Sequence, residues 1–174
     1  MARLNSVDPR NSNLSPGAVR VAGMQIRESD GSVAGVYRKD FQIPAYGVLL
    51  DVWVHNEELW TAASSATLDV GTFLDASGAI STEIDADGIF AAISLKATDL
   101  TKGQALAFAR VGGKGGAQLT EGSSSHYLNL VKDDPFWVSA VVTTVGTVGT
   151  AGETYVYVMY AVPEMDPATF TASA

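Results

Sequence analysis

Phe136–Val145 reads FWVSAVVTTV and Thr154–Val162 reads TYVYVMYAV, and these two segments near the end of the chain decide the fold. Both are rich in β-branched and aromatic residues, which favour extended strands. Between them, Gly146–Glu153 carries glycines at three-residue intervals and predicts a loop, so we expect the two strands to form an antiparallel hairpin. The second strand is apolar on both faces, which is typical of a central strand or of one covered by another layer or subunit.

Strand signals recur along the rest of the chain, separated by turn-forming residues. In the clearest of them, Tyr46–His55, alternation at period two predicts an aliphatic core face made of Val48, Leu50, Val52 and Val54. The other predicted strands are Ala18–Ile26, Val33–Ile43, Ala66–Leu74, Ile89–Leu95, Ala105–Val111 and Tyr127–Val131. About eight short strands with few helical signals predict an all-β fold, a β-sandwich or barrel with a jelly roll as its natural version.

No change in composition divides the chain, so we expect one β-sandwich domain over residues 18–162. Residues 1–17 and 163–174 are predicted to be irregular because they are rich in Asn, Ser, Pro and small residues. Two interpretations of the first segment remain open: a disordered tail, or an extended N-terminal arm that becomes ordered on a partner. In the second interpretation, its apolar anchors are Leu4, Val7 and Leu14.

The composition excludes several classes of function. With no cysteine among 174 residues, the chain cannot form disulfides, zinc thiolates or iron–sulfur clusters. A net charge of −8 argues against binding to nucleic acid. We expect neither a secretory signal nor a membrane span, because no sufficiently long apolar stretch occurs. Only 17% of the residues are charged, against about 25% in typical proteins, and this deficit suggests a surface covered by another subunit.

The charge is distributed unevenly along the sequence. The first 39 residues hold three acidic residues, Asp8, Glu28 and Asp30, and six basic ones, namely Arg3, Arg10, Arg20, Arg27, Arg38 and Lys39. This part is therefore net basic by three charges, and the remaining 135 residues are net acidic by eleven. We interpret the asymmetry as a chain that docks through its N-terminal side on an acidic partner surface and presents an acidic outer face.

Catalytic chemistry finds little support in the sequence. The two histidines, His55 and His126, lie in no nucleophile-elbow context, and we expect the protein not to be an enzyme. Asp85-Ala86-Asp87-Gly88 is similar to a fragment of a calcium loop, but its closing glutamate is missing, so we interpret it as a turn and leave Ca²⁺ binding there open. The glycine-rich stretch around Lys114 lacks the helix that a phosphate-binding loop requires. We therefore assign no catalytic residue, metal ligand or cofactor.

Aromatic residues provide the best candidates for a subunit or partner surface. Trp60 follows the core strand in an acidic-aromatic loop, and an exposed tryptophan often marks a binding surface. The alternative is that Trp60 folds back over the edge of the sandwich. Tyr155 and Tyr157 lie on one face of the last strand and are further candidates for this surface.

The segment Gly47–Phe73, GVLLDVWVHNEELWTAASSATLDVGTF, together with the final Val/Tyr-rich strands, resembles small β-rich virion proteins of tailed bacteriophages. Among these proteins, the chain is most similar to capsid decoration proteins, also called cement or head-stabilising proteins. The resemblance extends over residues 33–162 in arrangement, and it is detailed only at Ser65–Gly71 and in the final strands.

The resemblance implies a structural virion protein, made in the host cytoplasm, that binds the outer surface of the capsid and bridges major capsid subunits. It also implies a homo-oligomer, commonly a trimer, and a terminal arm that extends over neighbouring subunits. The candidate capsid contacts are then Leu4, Val7, Arg10, Leu14 and Arg20. Two alternatives stay open: a host- or carbohydrate-binding module of a head fibre or tail, and another phage structural role in the tail or connector.

Overall fold

A computed structural model describes residues 19–31, 35–75, 80–107 and 135–162. Eight strands occupy most of these residues: β1 (Val19–Arg27), β2 (Val36–Ile43), β3 (Val48–Glu58), β4 (Ser65–Asp75), β5 (Ile80–Ser94), β6 (Gln104–Ala107), β7 (Phe136–Val145) and β8 (Glu153–Ala161). A 3₁₀ turn, Glu28–Asp30, follows β1. Within the described ranges, no residue belongs to a helix that could cross a membrane.

The described strands form two four-stranded antiparallel sheets, with strand orders β1-β8-β3-β6 and β2-β7-β4-β5. Strand β1 pairs with β8, β2 with β7, β3 with β6 and β4 with β5. A long antiparallel ribbon that is rolled up into two facing sheets produces this nested pairing, which is the jelly-roll topology. The predicted all-β, jelly-roll-like sandwich is therefore confirmed.

One sequence prediction about the topology is wrong. Strands β7 and β8 do not form a hairpin, because β7 lies between β2 and β4 in the second sheet while β8 lies between β1 and β3 in the first. Their connection crosses from one sheet to the other. Both strands are central in their sheets, which explains why their sequences are so strongly apolar.

The core lies between the two sheets and contains the inward-facing residues of all the long strands. From the first sheet come Met24, Ile26, Leu49, Val52, Val54, Val156, Val158 and Tyr160. From the second sheet come Tyr37, Ile43, Ala66, Leu68, Val70, Phe90, Ile93, Phe136, Val138, Ala140 and Val142. Burial of this apolar surface is the main force that holds the sheets together.

The predicted face of β3 is only partly correct. Val52 and Val54 are buried as expected, but Leu49 is 2% exposed and Leu50 is only half-buried. Between Leu49 and Asp51 the pairing with β8 shifts register, so that Leu50 is an extra residue in a β-bulge. A bulge inverts the alternation of faces, and the regular period-two pattern therefore assigns the wrong leucine to the core.

Other predicted strands differ mainly in their limits. Strand β5 begins at Ile80, nine positions before the predicted Ile89, and its register with β4 is irregular at several points. The predicted strand Tyr127–Val131 and the two terminal segments fall outside the described residues.

The strand directions give the sandwich two distinct ends. One, which we call the loop end, carries the β1–β2, β3–β4, β5–β6 and β7–β8 connections. At the opposite end, which we call the arm end, Val19 of β1 pairs with Ala161 of β8, so the chain enters and leaves the domain at the same place. Residues 1–18 and 163–174 therefore both connect to the arm end.

Candidate functional site: the outer face of the first sheet and the loop junction

The outward-facing residues of β1, β8 and β3 form a surface that we call the aromatic face, made of Val19, Val21, Met159, Tyr157, Tyr155, Trp53 and His55. It arises because β8 is flanked by β1 and β3, so that alternate residues of three strands share one side. The register aligns Gly23, Tyr157 and Trp53 in one row across the strands. Tyr155 and Tyr157, which the sequence singled out, lie at its centre.

The rings of the aromatic face are packed on each other. The ring of Tyr157 stacks on that of Trp53, with centroids 5.4 Å apart and planes inclined by 22°. The ring of Tyr155 lies 6.0 Å from that of Tyr157 at 10°. Such distances and angles are those of offset, near-parallel aromatic pairs. Gly23 provides space beside Tyr157, since a Cβ there would lie 3.2 Å from Tyr157 Cε1.

Hydrogen bonds hold the polar edge of the aromatic face in place. The Tyr155 hydroxyl donates to Glu153 Oε1 at 2.7 Å and accepts from Gln25 Nε2 at 2.6 Å. The Arg27 guanidinium lies 3.4 Å from the same Glu153 oxygen. The hydrogen bond from Tyr155 is the main cause that lowers the pKa of Glu153, and the same bond raises the pKa of the Tyr155 phenol. This cluster fixes the orientation of Tyr155.

The opposite edge of the aromatic face, at the arm end, is apolar and open to solvent. Val19 and Val21 are 57% and 56% exposed. Val21 lies opposite Met159 in the register of β1 and β8. Exposed apolar side chains that lie next to each other often mark a contact surface. The surface thus becomes more apolar towards the point where residues 1–18 join the domain.

At the loop end, one buried carboxylate joins three parts of the chain. The Glu28 side chain is 2% exposed, and its oxygens accept five hydrogen bonds. Thr61 donates from its backbone N–H at 3.0 Å and from its hydroxyl at 2.8 Å, and Ala62 donates from its N–H at 2.8 Å. The N–H groups of Gly149 and Gly152 donate at 3.2 and 3.0 Å. We call this arrangement the Glu28 junction.

The donors of the Glu28 junction keep its carboxylate ionised. Burial alone would raise the pKa of Glu28, but the hydrogen bonds from Thr61, Gly152 and Ala62 together outweigh burial and hold the pKa below its ordinary value. Sequence reasoning did not identify Glu28 as important, because a single glutamate after a strand looks like any surface acid. Its donors lie 33 to 124 positions away, and no local pattern links them to it.

The glycines of the β7–β8 loop are explained by the same junction. A Cβ at Gly149 would meet Thr61 Oγ1 and both carboxylate oxygens of Glu28, and a Cβ at Gly152 would lie 2.5 Å from Trp60 Cγ. The close approach of two loops therefore requires glycine at these positions. The sequence identified the glycines as loop residues but could not indicate their neighbours.

Trp60 is buried, so it is not an exposed anchor. Its side chain is 2% exposed, packs edge-on against the ring of Tyr37 at 5.0 Å, and donates from Nε1 to Thr154 Oγ1 at 2.8 Å. Thr154 in turn donates to Asn56 Oδ1 at 3.0 Å. The structure supports the alternative in which Trp60 folds back over the edge of the sandwich, and its role as a partner surface is corrected accordingly.

The remaining predicted residues are placed as follows. Leu4, Val7, Arg10 and Leu14 fall outside the described residues. Arg20, on β1, is half-buried, and its Nε is buried with no hydrogen-bond partner among the described residues. The interpretation of residues 85–88 as a turn is wrong, because they lie within strand β5. The Asp87 side chain is exposed, whereas that of Asp85 is outside the described part.

His55 is the histidine that the structure describes, and it lies on the aromatic face. The His55 ring lies beside Tyr155 at 6.5 Å, and its Nδ1 is 3.6 Å from Glu57 Oε2. Within the described ranges, no three His, Asp or Glu side chains come together as a metal site would require. What the geometry offers is contact surface: an aromatic face with an apolar edge, and loops held rigidly by the Glu28 junction.

Comparison with known proteins relates this fold to phage capsids. No protein-family model and no curated protein matches the chain. A chain of the cyanophage Pam1 capsid asymmetric unit superimposes with a TM-score of 0.52 at 18% identity, covering 94% of this chain and 100% of that one. A chain of the Ralstonia phage GP4 capsid gives a TM-score of 0.50 at 18% identity, over 87% of this chain and 88% of that one. The resemblance to phage virion proteins is thus confirmed at the level of the fold.

Proposed function

We propose that the protein is a non-enzymatic structural component of a phage virion that binds the outer surface of the capsid and stabilises it by bridging major capsid subunits. The observation that carries this proposal is the jelly-roll fold, which the chain shares over nearly its whole length with a chain of a phage capsid. Binding would bury surface across the seams between subunits, and a homotrimer would multiply many weak contacts through avidity.

The arm end of the domain is the side that we assign to the capsid. The chain enters there at Val19, and Val19 and Val21 are exposed beside the entry point. In this proposal they extend the apolar contacts of the arm, whose anchors are Leu4, Val7 and Leu14, while Arg10 meets acidic groups of the capsid.

A binding assay on particles tests the proposal. Heads that lack this protein are incubated with the full chain, with a chain lacking residues 1–16, or with Val21→Asp, and occupancy is measured after the heads are repurified. We expect the full chain to saturate the heads and both variants to lose most of the occupancy. Unchanged occupancy of the truncated chain would contradict the role of the arm, and absence of binding by the full chain would contradict capsid binding itself.

The aromatic face makes a carbohydrate-binding or host-binding module the second candidate. Aromatic rings beside hydrogen-bonding groups such as Gln25 and Glu153 are suited to sugars. The same rings, paired with each other at 5.4 Å, are also suited to contact with a protein. A glycan array probed with the full chain separates the two, since reproducible binding that Trp53→Ala abolishes would favour the second candidate.

A further inference from the structure

The exposed valines of the described residues fall into two groups at different places. Val19 and Val21 lie on the aromatic face at the arm end, where the proposed capsid contact uses them. Val36, Val145 and Val148, which are 40%, 55% and 44% exposed, belong to the second sheet and to the loop end. The second group, which we call the valine patch, has no role in the proposed contact with the capsid.

The valine patch comprises residues of two neighbouring strands and of the loop that follows β7. Val36 on β2 lies opposite Thr143 on β7, and Val145 follows two positions later on the same outward face. The β3–β4 loop lies against it, because Ser64 N donates to Val145 O at 3.0 Å and Ala63 N donates to Thr147 O at 2.9 Å. Val148 follows Thr147 in the β7–β8 loop.

Two long segments around the valine patch carry no charged side chain. Residues 59–68 read LWTAASSATL and residues 136–152 read FWVSAVVTTVGTVGTAG, without a single Asp, Glu, Lys or Arg. This is unusual in a chain whose net charge is −8. Glu28, which contacts these loops, is buried, and N–H groups of the loops donate hydrogen bonds to its carboxylate. Two basic side chains lie beside the patch: Lys96 Nζ donates to Ala62 O, and Arg38 lies two positions after Val36 on the same side of β2.

The Glu28 junction also makes the valine patch rigid. Its hydrogen bonds hold Thr61 and Ala62 on one side of the patch, and Gly149 and Gly152 on the other. A preorganised surface loses little conformational entropy when it binds, so a small apolar patch can support an interaction.

We infer that the valine patch is the contact through which copies of this chain associate with each other. The inference deepens the proposed function, from which it takes the homo-oligomer, by naming the surface that forms it. Two copies that each carry a net charge of −8 repel each other. At the valine patch they can meet over the uncharged segments 59–68 and 136–152, so that no acidic side chain of these segments opposes another. For the proposed trimer, one part of the patch contacts a different part of the patch on the neighbouring copy, and repetition of this contact around a three-fold axis closes the ring.

Sedimentation velocity of the full chain over a range of concentrations tests this inference. We expect an oligomer that dissociates on dilution, and tighter association at higher salt, since salt screens the repulsion between acidic copies. In the variant Val145→Asp/Val148→Asp we expect a monomer whose melting temperature is close to that of the wild type, because both side chains are exposed. The matched control, Val19→Asp/Val21→Asp, alters two exposed valines of the aromatic face at the arm end and should remain oligomeric.

Several results would overturn the inference. A wild type that is monomeric at all concentrations, or a double variant that keeps the oligomeric mass, would each do so. If the double variant is destabilised, the single loop variant Val148→Arg replaces it, and an unchanged oligomer would again be decisive.

Head binding separates this inference from the proposed function. A monomeric variant that still binds heads, but more weakly than the oligomeric wild type, supports both, whereas an oligomeric wild type that does not bind heads overturns only the proposed function. A monomeric wild type whose binding to heads is lost in Val145→Asp/Val148→Asp would instead assign the patch to the capsid.

Discussion

The carboxylate of Glu28 accepts a hydrogen bond from the backbone N–H of Gly152 at 3.0 Å, across 124 positions of the chain. Glu28 directly follows the first strand, and Gly152 directly precedes the last. Since β1 and β8 are neighbours in one sheet, the bond closes their common end and brings the β7–β8 loop against Glu28. The loop end is therefore organised around a charge that lies inside the protein.

Replacing the ionised carboxylate of this junction should destabilise the fold. In Glu28→Gln, an amide group must face N–H donors, so at least one donor loses its acceptor. We expect the free energy of unfolding to fall by about 3 kcal/mol, measured by chemical denaturation. The control is Asp30→Asn, two positions away, where an exposed ion pair with Lys39 at 3.7 Å is removed and a loss below about 0.5 kcal/mol is expected. Equal losses in the two variants would contradict the role of the Glu28 junction.

The free energy of unfolding should decrease in acid because the Glu28 carboxylate becomes protonated. The pKa of Glu28 in the folded protein lies below its ordinary value of 4.5, so its contribution is complete above pH 4.5 and is lost as the pH falls through the folded pKa. Glu153 acts in the same direction, whereas the pKa of Asp51 is raised by burial and opposes them. Denaturation curves from about pH 7 to about pH 3 should show a smaller acid loss in Glu28→Gln than in the wild type. Parallel pH profiles of the two proteins would rule out this linkage.

A methyl group at Gly152 should not fit. In Gly152→Ala the new Cβ would lie 2.5 Å from the Trp60 ring, which is buried and hydrogen-bonded to Thr154. We expect a loss of about 1–3 kcal/mol and a changed tryptophan emission spectrum. The neighbouring exposed residue gives the control, Ala151→Ser, which should leave both quantities unchanged. Wild-type stability in Gly152→Ala would mean that the two loops are not in close contact.

The bulge in β3 predicts different effects for two adjacent leucines. Leu49→Ala removes a fully buried side chain and should lower the free energy of unfolding by about 2–5 kcal/mol. Leu50→Ala removes a half-buried side chain and should lower it by about 1 kcal/mol. Thermal or chemical unfolding of the pair checks the assignment. A larger loss in Leu50→Ala than in Leu49→Ala would indicate regular alternation along β3 and would contradict the bulge.

Local patterns predicted a large part of the fold. The limits of β7 coincide with the predicted Phe136–Val145, and those of β8 differ from Thr154–Val162 by one residue at each end. Strand propensity and alternation depend only on neighbouring residues, so both can be read from the sequence. The candidate site was predicted less well. Tyr155 and Tyr157 do face outward, but Trp60 is buried, since its surroundings come from Tyr37, Thr154 and Gly152 in other parts of the chain.

By itself, the sequence determined the all-β class, the positions of most strands and the lack of any cysteine-based chemistry, because these follow from composition and short-range periodicity. Only the tertiary structure decided that β7 and β8 belong to different sheets, that Leu49 and not Leu50 enters the core, and that Glu28 is buried. Each of these three findings depends on which distant segment of the chain packs against the strand or residue concerned. In a jelly roll most pairings join strands that are far apart in the chain. Local sequence patterns do not specify such pairings, so these findings require the tertiary structure.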